Sequence, residues 1–254
     1  GPESDRAVAW RLELPEPRQT ALQSYRVAAW LDSPVAPVDG AVLERLDAAV
    51  AALRDAGVTI DDDARPEIDF AESDRVYRGL LAATSARRIA PEAFAEMAKR
   101  EDELPGEDAD PPPAYARGAA LRHAQWLHLN EAREQMREHW ARFFERYDVL
   151  LMPVTSVAAI AHDHSERGDG TIAGQGRKIS VNGTDRSYFD QLSWVGLITV
   201  VYLPASVAPV GLTPAGLPVG IQIVAPYLED RTAIDFAKRL GEVIGGYETP
   251  PGYE

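Results

Sequence analysis

Two short stretches carry side chains whose types and spacing suit chemistry. His162 and His164 flank Asp163, and Glu166 follows two residues later. Imidazoles and carboxylates are the donors of a hydrolytic zinc site, which keeps one position open for water. This polar stretch offers no third ligand at a metal-site spacing, so no metal and no other cofactor is expected. A metal-dependent hydrolase stands only as a competing reading. The second pair is Lys178 and Ser180. A neutral lysine can activate a serine hydroxyl for attack on a carbonyl. Neighbours in sequence rarely meet productively. His123, His128 and His139 lie among charged residues and read as a solvated helix face. A Gly-x-Ser-x-Gly elbow is absent, and the glycines between Gly170 and Lys178 neither follow a strand nor open a helix. No catalytic residue is assigned within the chain.

Composition narrows the partners. The 254 residues carry 26 basic and 40 acidic side chains, a formal net charge of -14. Such a surface repels phosphate backbones and anionic lipid, so neither nucleic acid nor membrane is an expected partner. Hydrophobic residues make up 45%, enough for a full core. Cysteine is absent, which rules out disulfides and thiolate chemistry and fits a cytoplasmic location. No apolar run reaches about 20 residues, the length of a membrane span. "GPESDRAVAW" lacks the pattern of a signal peptide. Its leading Gly-Pro reads as a protease scar, and the natural protein is expected to begin upstream.

These residues need elements to position them. "YRVAAWLD", Tyr25 to Asp32, reads as a buried strand. Asp39 is placed to cap a helix from Gly40 to Ala56, with Val42, Leu46, Val50 and Leu53 on one stripe and Gly57 after its end. "VTID" is a second strand, which makes a βαβ unit with parallel strands. Two helices broken near Pro91 are expected between Phe70 and Lys99. Glu101 to Pro113 is acidic and Pro-rich and reads as a mobile surface loop, either a plain linker or a lid. A long helix is expected from Tyr115 to Tyr147, its stripe formed by Trp126, Leu129, Ala132, Met136, Trp140, Phe143 and Tyr147. "YDVLLMPVT" is a buried strand stopped by Pro153. Ser156 to Asn182 reads as one long irregular loop. Trp194 to Gly211 gives a short apolar helix and a strand. "TPAG" turns, "LPVGIQIVA" pairs back, and a helix from Asp230 to Ile244 closes the chain, with Ala233, Ala237, Leu240 and Ile244 on one face. The expected fold class is α/β, a layered mixed β-sheet flanked by helices.

The order of these segments resembles a known family. "YDVLLMPVT", then "VGLITVVYLPASVAPVGLTPAGLPVGIQIVAPYLEDRTAIDFAKRLGEVIGGYETP", looks like the C-terminal part of an amidase-signature enzyme. "AVAWRLELPEPRQTALQSYRVAAWLDSPVAPVDGAVLERLDAAVAALRDAGVTI" is similar to the family just past its signature segment. Leu197-Ile198 stands where many members have a Gly-x-Pro step, and Ala225 replaces a glycine. The resemblance implies amide hydrolysis by a Ser–Ser–Lys triad, with backbone N–H groups holding the oxyanion. The "G-G-S-S-G-G" segment that carries the triad is not in this sequence. Residues 1–254 are therefore expected to be the incomplete C-terminal part of an amidase domain, without catalytic residues of their own. A non-catalytic binding module derived from the same fold is the alternative.

The resemblance also implies that this half closes the substrate pocket. Thr155, Tyr188, Gln191 and Trp194 are the candidate substrate-binding residues, although Tyr188 and Trp194 read equally well as packing residues. Gln222 reads as a hydrogen-bonding core residue. The implied partners are a small-molecule amide in the full-length protein and either a second copy or the protein's own N-terminal half. That association is expected along strand edges near Tyr25 to Leu31 and Val149 to Met152.

Overall fold

The computed structural model describes residues 3–99, 118–163, 177–250 and 252–253. The acidic stretch from Glu101 to Pro113 lies outside them, as do His164, Ser165 and Glu166. The central feature is a five-stranded mixed sheet in the order β2-β1-β3-β7-β6. Its strands are β1 (Val27–Ala29), β2 (Ile60–Asp61), β3 (Val149–Pro153), β6 (Ala205–Leu212) and β7 (Pro218–Val224). The expected βαβ unit is present: β1 runs parallel to β2, with α1 (Gly40–Asp55) as the crossover. β1 is also parallel to β3, with Val27 opposite Val149. β3 pairs antiparallel with β7, and β7 with β6.

The sequence explains the order. Every residue of β3 is buried, as suits an apolar strand covered on both faces. On α1 the expected stripe of Val42, Leu46, Val50 and Leu53 is buried, joined by Ala49. The closing helix α6 (Asp230–Ile244) buries Thr232, Ala233, Phe236 and Leu240, and Gly245 ends it at φ 99°. Ala237 and Ile244 pack only partly against the core. Both α1 and α6 pack on β6 and β7. α2 (Phe70–Ser85) packs against α4 (His123–Arg146) and α5 (Ser193–Thr199). A shorter helix, α3 (Pro91–Lys99), begins at the expected break.

Three expectations need correction. The long helix begins at His123, because Ala120 turns and Arg122 adopts extended backbone as its cap. At 24 residues it is about 36 Å long. Met136, Trp140, Phe143 and Phe144 form its buried face. Next, the segment before Asn182 is not wholly irregular. β4 (Lys178–Val181) and β5 (Thr184–Ser187) form a separate two-stranded hairpin. Finally, the strands near Tyr25 and Val149 are not sheet edges. β1 lies between β2 and β3, and β3 between β1 and β7, so their backbone groups are satisfied within the chain. Among the described residues the long open edge is β6, where Val207 and Leu212 are exposed.

Gly220 and Gly196 are both close-packing positions. A Cβ on Gly220 would sit 2.7 Å from Val207 Cγ1, so the close neighbour is a side chain on β6, not backbone. A Cβ on Gly196 would sit 2.5 Å from the ring of Tyr77, which lets α5 lie against α2.

Candidate functional site

Where parallel strands end, their loops leave together and form a crevice suited to a ligand. β1 and β3 lead into residues 30–39 and 154–158. Three further pieces meet those loops: the start of α1, the β4–β5 turn, and the segment from Tyr188 into α5.

The start of α1 is held by reciprocal bonds. Asp39 caps the helix, its Oδ1 accepting from the Ala41 N–H at 3.1 Å. Its Oδ2 accepts from the Asn182 N–H at 3.1 Å. The Asn182 side chain accepts from the Gly40 N–H at 2.9 Å and donates to the Val38 carbonyl at 3.1 Å. The Ser156 carbonyl accepts from the Asp39 N–H at 2.8 Å. Asn182 and Gly183 both have positive φ, at 52° and 78°, the geometry of a two-residue hairpin turn. The hairpin turn is thus a clamp between the loop after β3 and the start of α1.

The loop after β1 is tied from beneath. Trp194 donates its indole N–H to the Ala36 carbonyl at 3.0 Å. Its ring meets Trp30 and Phe70 edge-on, at 5.8 and 5.2 Å. Arg186 donates to the Val35 carbonyl at 3.0 Å, and Asp32 accepts from the Val38 N–H at 2.9 Å.

Tyr188, Gln191 and Trp194 come from one short segment, and Thr155 comes from the loop beside it. Tyr188 packs on Val157, Ile179 and Val181, next to the stretch that follows Thr155. Gln191 is half-buried and donates to the Tyr188 carbonyl at 3.2 Å. Trp194 is fully covered and forms the floor of this segment. Thr155 is half-buried, yet its hydroxyl is enclosed and has no partner among the described residues. The Ser156 hydroxyl, in a fully buried residue, is in the same position. Enclosed hydroxyls without a partner cost about 1–3 kcal/mol each.

A charged network next to this segment does not emerge from sequence reasoning. Buried Arg78 donates to Asp74 at 2.6 Å and to the Ser193 hydroxyl at 3.1 Å. Arg186 donates to Asp190 at 2.8 Å, and Asp190 also lies 3.8 Å from Arg78. Two guanidiniums thus balance two carboxylates. Both Asp74–Arg78 and Arg186–Asp190 are four residues apart, and that spacing was the available signal. Asp74 Oδ1 and the Ser73 hydroxyl remain without partners.

The other candidates fall elsewhere. Lys178 and Ser180 lie on the exposed face of β4. Of the histidine stretch, only His162 and Asp163 are described, with Arg177 3.8 Å from Asp163. Gln222 is buried as expected, but its amide nitrogen has no partner. The segment thus carries hydroxyl, phenol and amide groups beside the buried Trp194, groups able to hydrogen-bond a polar molecule.

Comparison with known proteins shows the family. The Amidase family profile matches residues 2–234. A fatty-acid amide hydrolase 2-A of Danio rerio is 40% identical over 58 residues, covering 23% of this chain and 11% of that protein. An indoleacetamide hydrolase of Bradyrhizobium japonicum is 28% identical over 120 residues, covering 47% of this chain and 23% of that protein. The solved structure of a bacterial aryl acylamidase of the amidase-signature enzymes superposes with a TM-score of 0.59 at 18% identity. That likeness, one of fold, covers 87% of this chain and 44% of the acylamidase chain. The chain thus spans less than half the length of these relatives. Among the described residues, no helix is long and apolar enough to cross a membrane.

Proposed function

Because the chain belongs to the amidase family, we propose that it is the C-terminal part of an amide hydrolase and supplies sheet and substrate-pocket wall. The reaction is hydrolysis of a small carboxamide to a carboxylate and ammonia or an amine, in the cytoplasm. The observation that carries this reading is the match over residues 2–234 by a chain that spans 44% of a solved amidase-signature enzyme. The relatives' names share the amide bond and differ in what surrounds it. Attack on an amide needs a nucleophile, a base and oxyanion donors. In this reading they lie on the Ser–Ser–Lys segment encoded before residue 1. Thr155, Tyr188 and Gln191 line the wall, and Trp194 supports them from below.

The open β6 edge fits a partner. Eight residues whose outer side is unpaired among the described residues, with Val207 and Leu212 exposed, are a template for strand pairing. The N-terminal half of the same protein pairs there, and without it the isolated chain self-associates. Light scattering at micromolar concentration is expected to show association that Val207→Lys weakens. A monomer unaffected by that change would remove the edge from the account.

Ammonia release tests the function itself. The chain alone is expected to hydrolyse aliphatic and aryl amides at the background rate. The chain joined to its upstream residues is expected to turn them over. Saturable turnover by the chain alone, abolished by Ser180→Ala or Lys178→Ala, would overturn the division of labour. No turnover by the joined protein would favour the binding-module alternative.

A further inference from the structure

The charged network beside the Tyr188–Trp194 segment has no part in the chemistry described so far. Arg78 on α2 is buried and donates to Asp74 at 2.6 Å and to the Ser193 hydroxyl at 3.1 Å. Asp190 lies 3.8 Å from the same guanidinium. Taking such charges out of water costs free energy that their attraction often fails to offset, and apolar side chains of similar size can serve stability as well. An apolar contact is already present here. Gly196 lets α5 lie against the ring of Tyr77, the residue before Arg78. Holding α5 to α2 therefore does not account for the charges.

What the network adds is direction. A guanidinium is a planar fork whose donors leave at fixed angles. The Nε of Arg78 meets Asp74, one turn back on the same helix, which sets the plane of the fork. Its Nη2 then meets both Ser193 and Asp190. Arg186 holds Asp190 from β5 at 2.8 Å and also donates to the Val35 carbonyl at 3.0 Å. The network thus runs from α2, through the segment, to the loop after β1. Asp190 and Ser193 stand on either side of Gln191, and Gln191 donates to the Tyr188 carbonyl at 3.2 Å. Fixing these two anchors fixes the backbone that carries both candidate side chains.

We propose that Arg78, acting with Asp190, is a positioning residue of the substrate-pocket wall. It sets the angle at which Tyr188 and Gln191 are presented and does not itself touch the substrate. This assignment rests on the amidase reading and extends it to a residue of α2.

Steady-state amide hydrolysis by the chain joined to its upstream residues tests the assignment. Arg78→Met keeps the apolar stem and removes the fork. It is expected to raise KM about tenfold with kcat within about twofold. Arg78→Lys keeps the charge without the fork and is expected to recover only part of this, to about threefold. Asp190→Asn, which keeps the side-chain shape, is expected to raise KM about fivefold and carries the comparison if Arg78→Met does not fold. Gln191→Ala removes a side chain through which the network acts, so adding Arg78→Met to it should raise KM by less than about twofold more. Hydrogen exchange in the same protein supplies a readout apart from turnover. In Arg78→Met, or in Asp190→Asn in its place, the amides of Tyr188 to Trp194 should exchange about tenfold faster while those of β3 stay unchanged. An unchanged KM, additive effects with Gln191→Ala, or a fall in kcat of about a hundredfold at constant KM would overturn the proposal and leave the amidase reading standing. Absence of turnover by the unsubstituted joined protein would overturn both.

Discussion

The two ends of the β1–β3 pair treat their polar groups in opposite ways. At the amino end, Asp148 is fully buried and every approach to it is filled. It accepts from the Gln19 amide at 3.0 Å, the Arg26 backbone N–H at 3.0 Å and the Arg26 guanidinium at 2.6 Å, with Arg18 3.5 Å away. Arg18 in turn donates to Glu229 and to the Phe144 and Tyr147 carbonyls. At the carboxyl end, the backbone is equally well tied, through Asp39, Asn182, Trp194 and Arg186. The side-chain hydroxyls of Thr155 and Ser156, however, stay unpartnered. A closed polar network fixes how strands and helix ends meet, while an open one retains capacity for a ligand. The first end holds the fold, and we propose that the second, with its unpartnered hydroxyls, faces the substrate.

Breaking the closed end should have the largest effect. Asp148→Ala leaves Arg18 and Arg26 without their shared carboxylate, and removal of one buried partner costs about 3–5 kcal/mol. Urea unfolding monitored by tryptophan fluorescence measures it. Burial alone would raise the Asp148 pKa, but the side chain and backbone N–H of Arg26 outweigh it and hold the carboxyl below its ordinary range. A group with a lowered folded pKa stabilises above its unfolded value, and that stability fades as pH falls through the folded one. The wild-type chain should therefore lose stability below about pH 4 more steeply than Asp148→Asn. Parallel slopes would show that Asp148 does not hold this end.

A smaller loss is expected from the clamp at the carboxyl end. Asn182→Ala removes two side-chain bonds, to Gly40 and Val38, and puts alanine, which tolerates the left-handed region less well than asparagine, at φ 52°. The expected cost is about 1–2 kcal/mol. Hydrogen exchange should quicken at Gly40 and through β4–β5 but stay unchanged in β3. Uniform quickening across the sheet would mean that the hairpin is not a local clamp.

Legibility followed the same division. The central sheet was readable because β3 is uniformly apolar and α1 has an unambiguous stripe behind Asp39, signals that depend only on local sequence. The hairpin was missed although "VNGT" carries the Asn-Gly turn signal. β4 does alternate, with Ile179 and Val181 buried between exposed Lys178 and Ser180, but the pattern lasts only four residues, and its partner β5, Thr184 to Ser187, has no apolar residue. The candidate residues came from resemblance, and burial then separated their roles. Trp194 is covered on all sides, while Thr155 holds an enclosed and unpaired hydroxyl. The Arg78–Asp190 network joins residues more than a hundred positions apart, and no local pattern reports that meeting. The open edge was assigned to β1 and β3 because strand neighbours across the sheet are set by topology, which apolar patterning does not encode.

The smallest change to the fold gives the sharpest test. Thr155→Val removes only a hydroxyl that has no partner among the described residues, so the chain's stability should stay level or rise, by about 1–3 kcal/mol at most. The decisive measurement is steady-state amide hydrolysis by the chain joined to its upstream residues, with and without Thr155→Val. If this loop orients the substrate and attack occurs elsewhere, KM should rise by about tenfold with kcat nearly unchanged. A fall in kcat of about a thousandfold at constant KM would put Thr155 in the bond-breaking step and contradict the account.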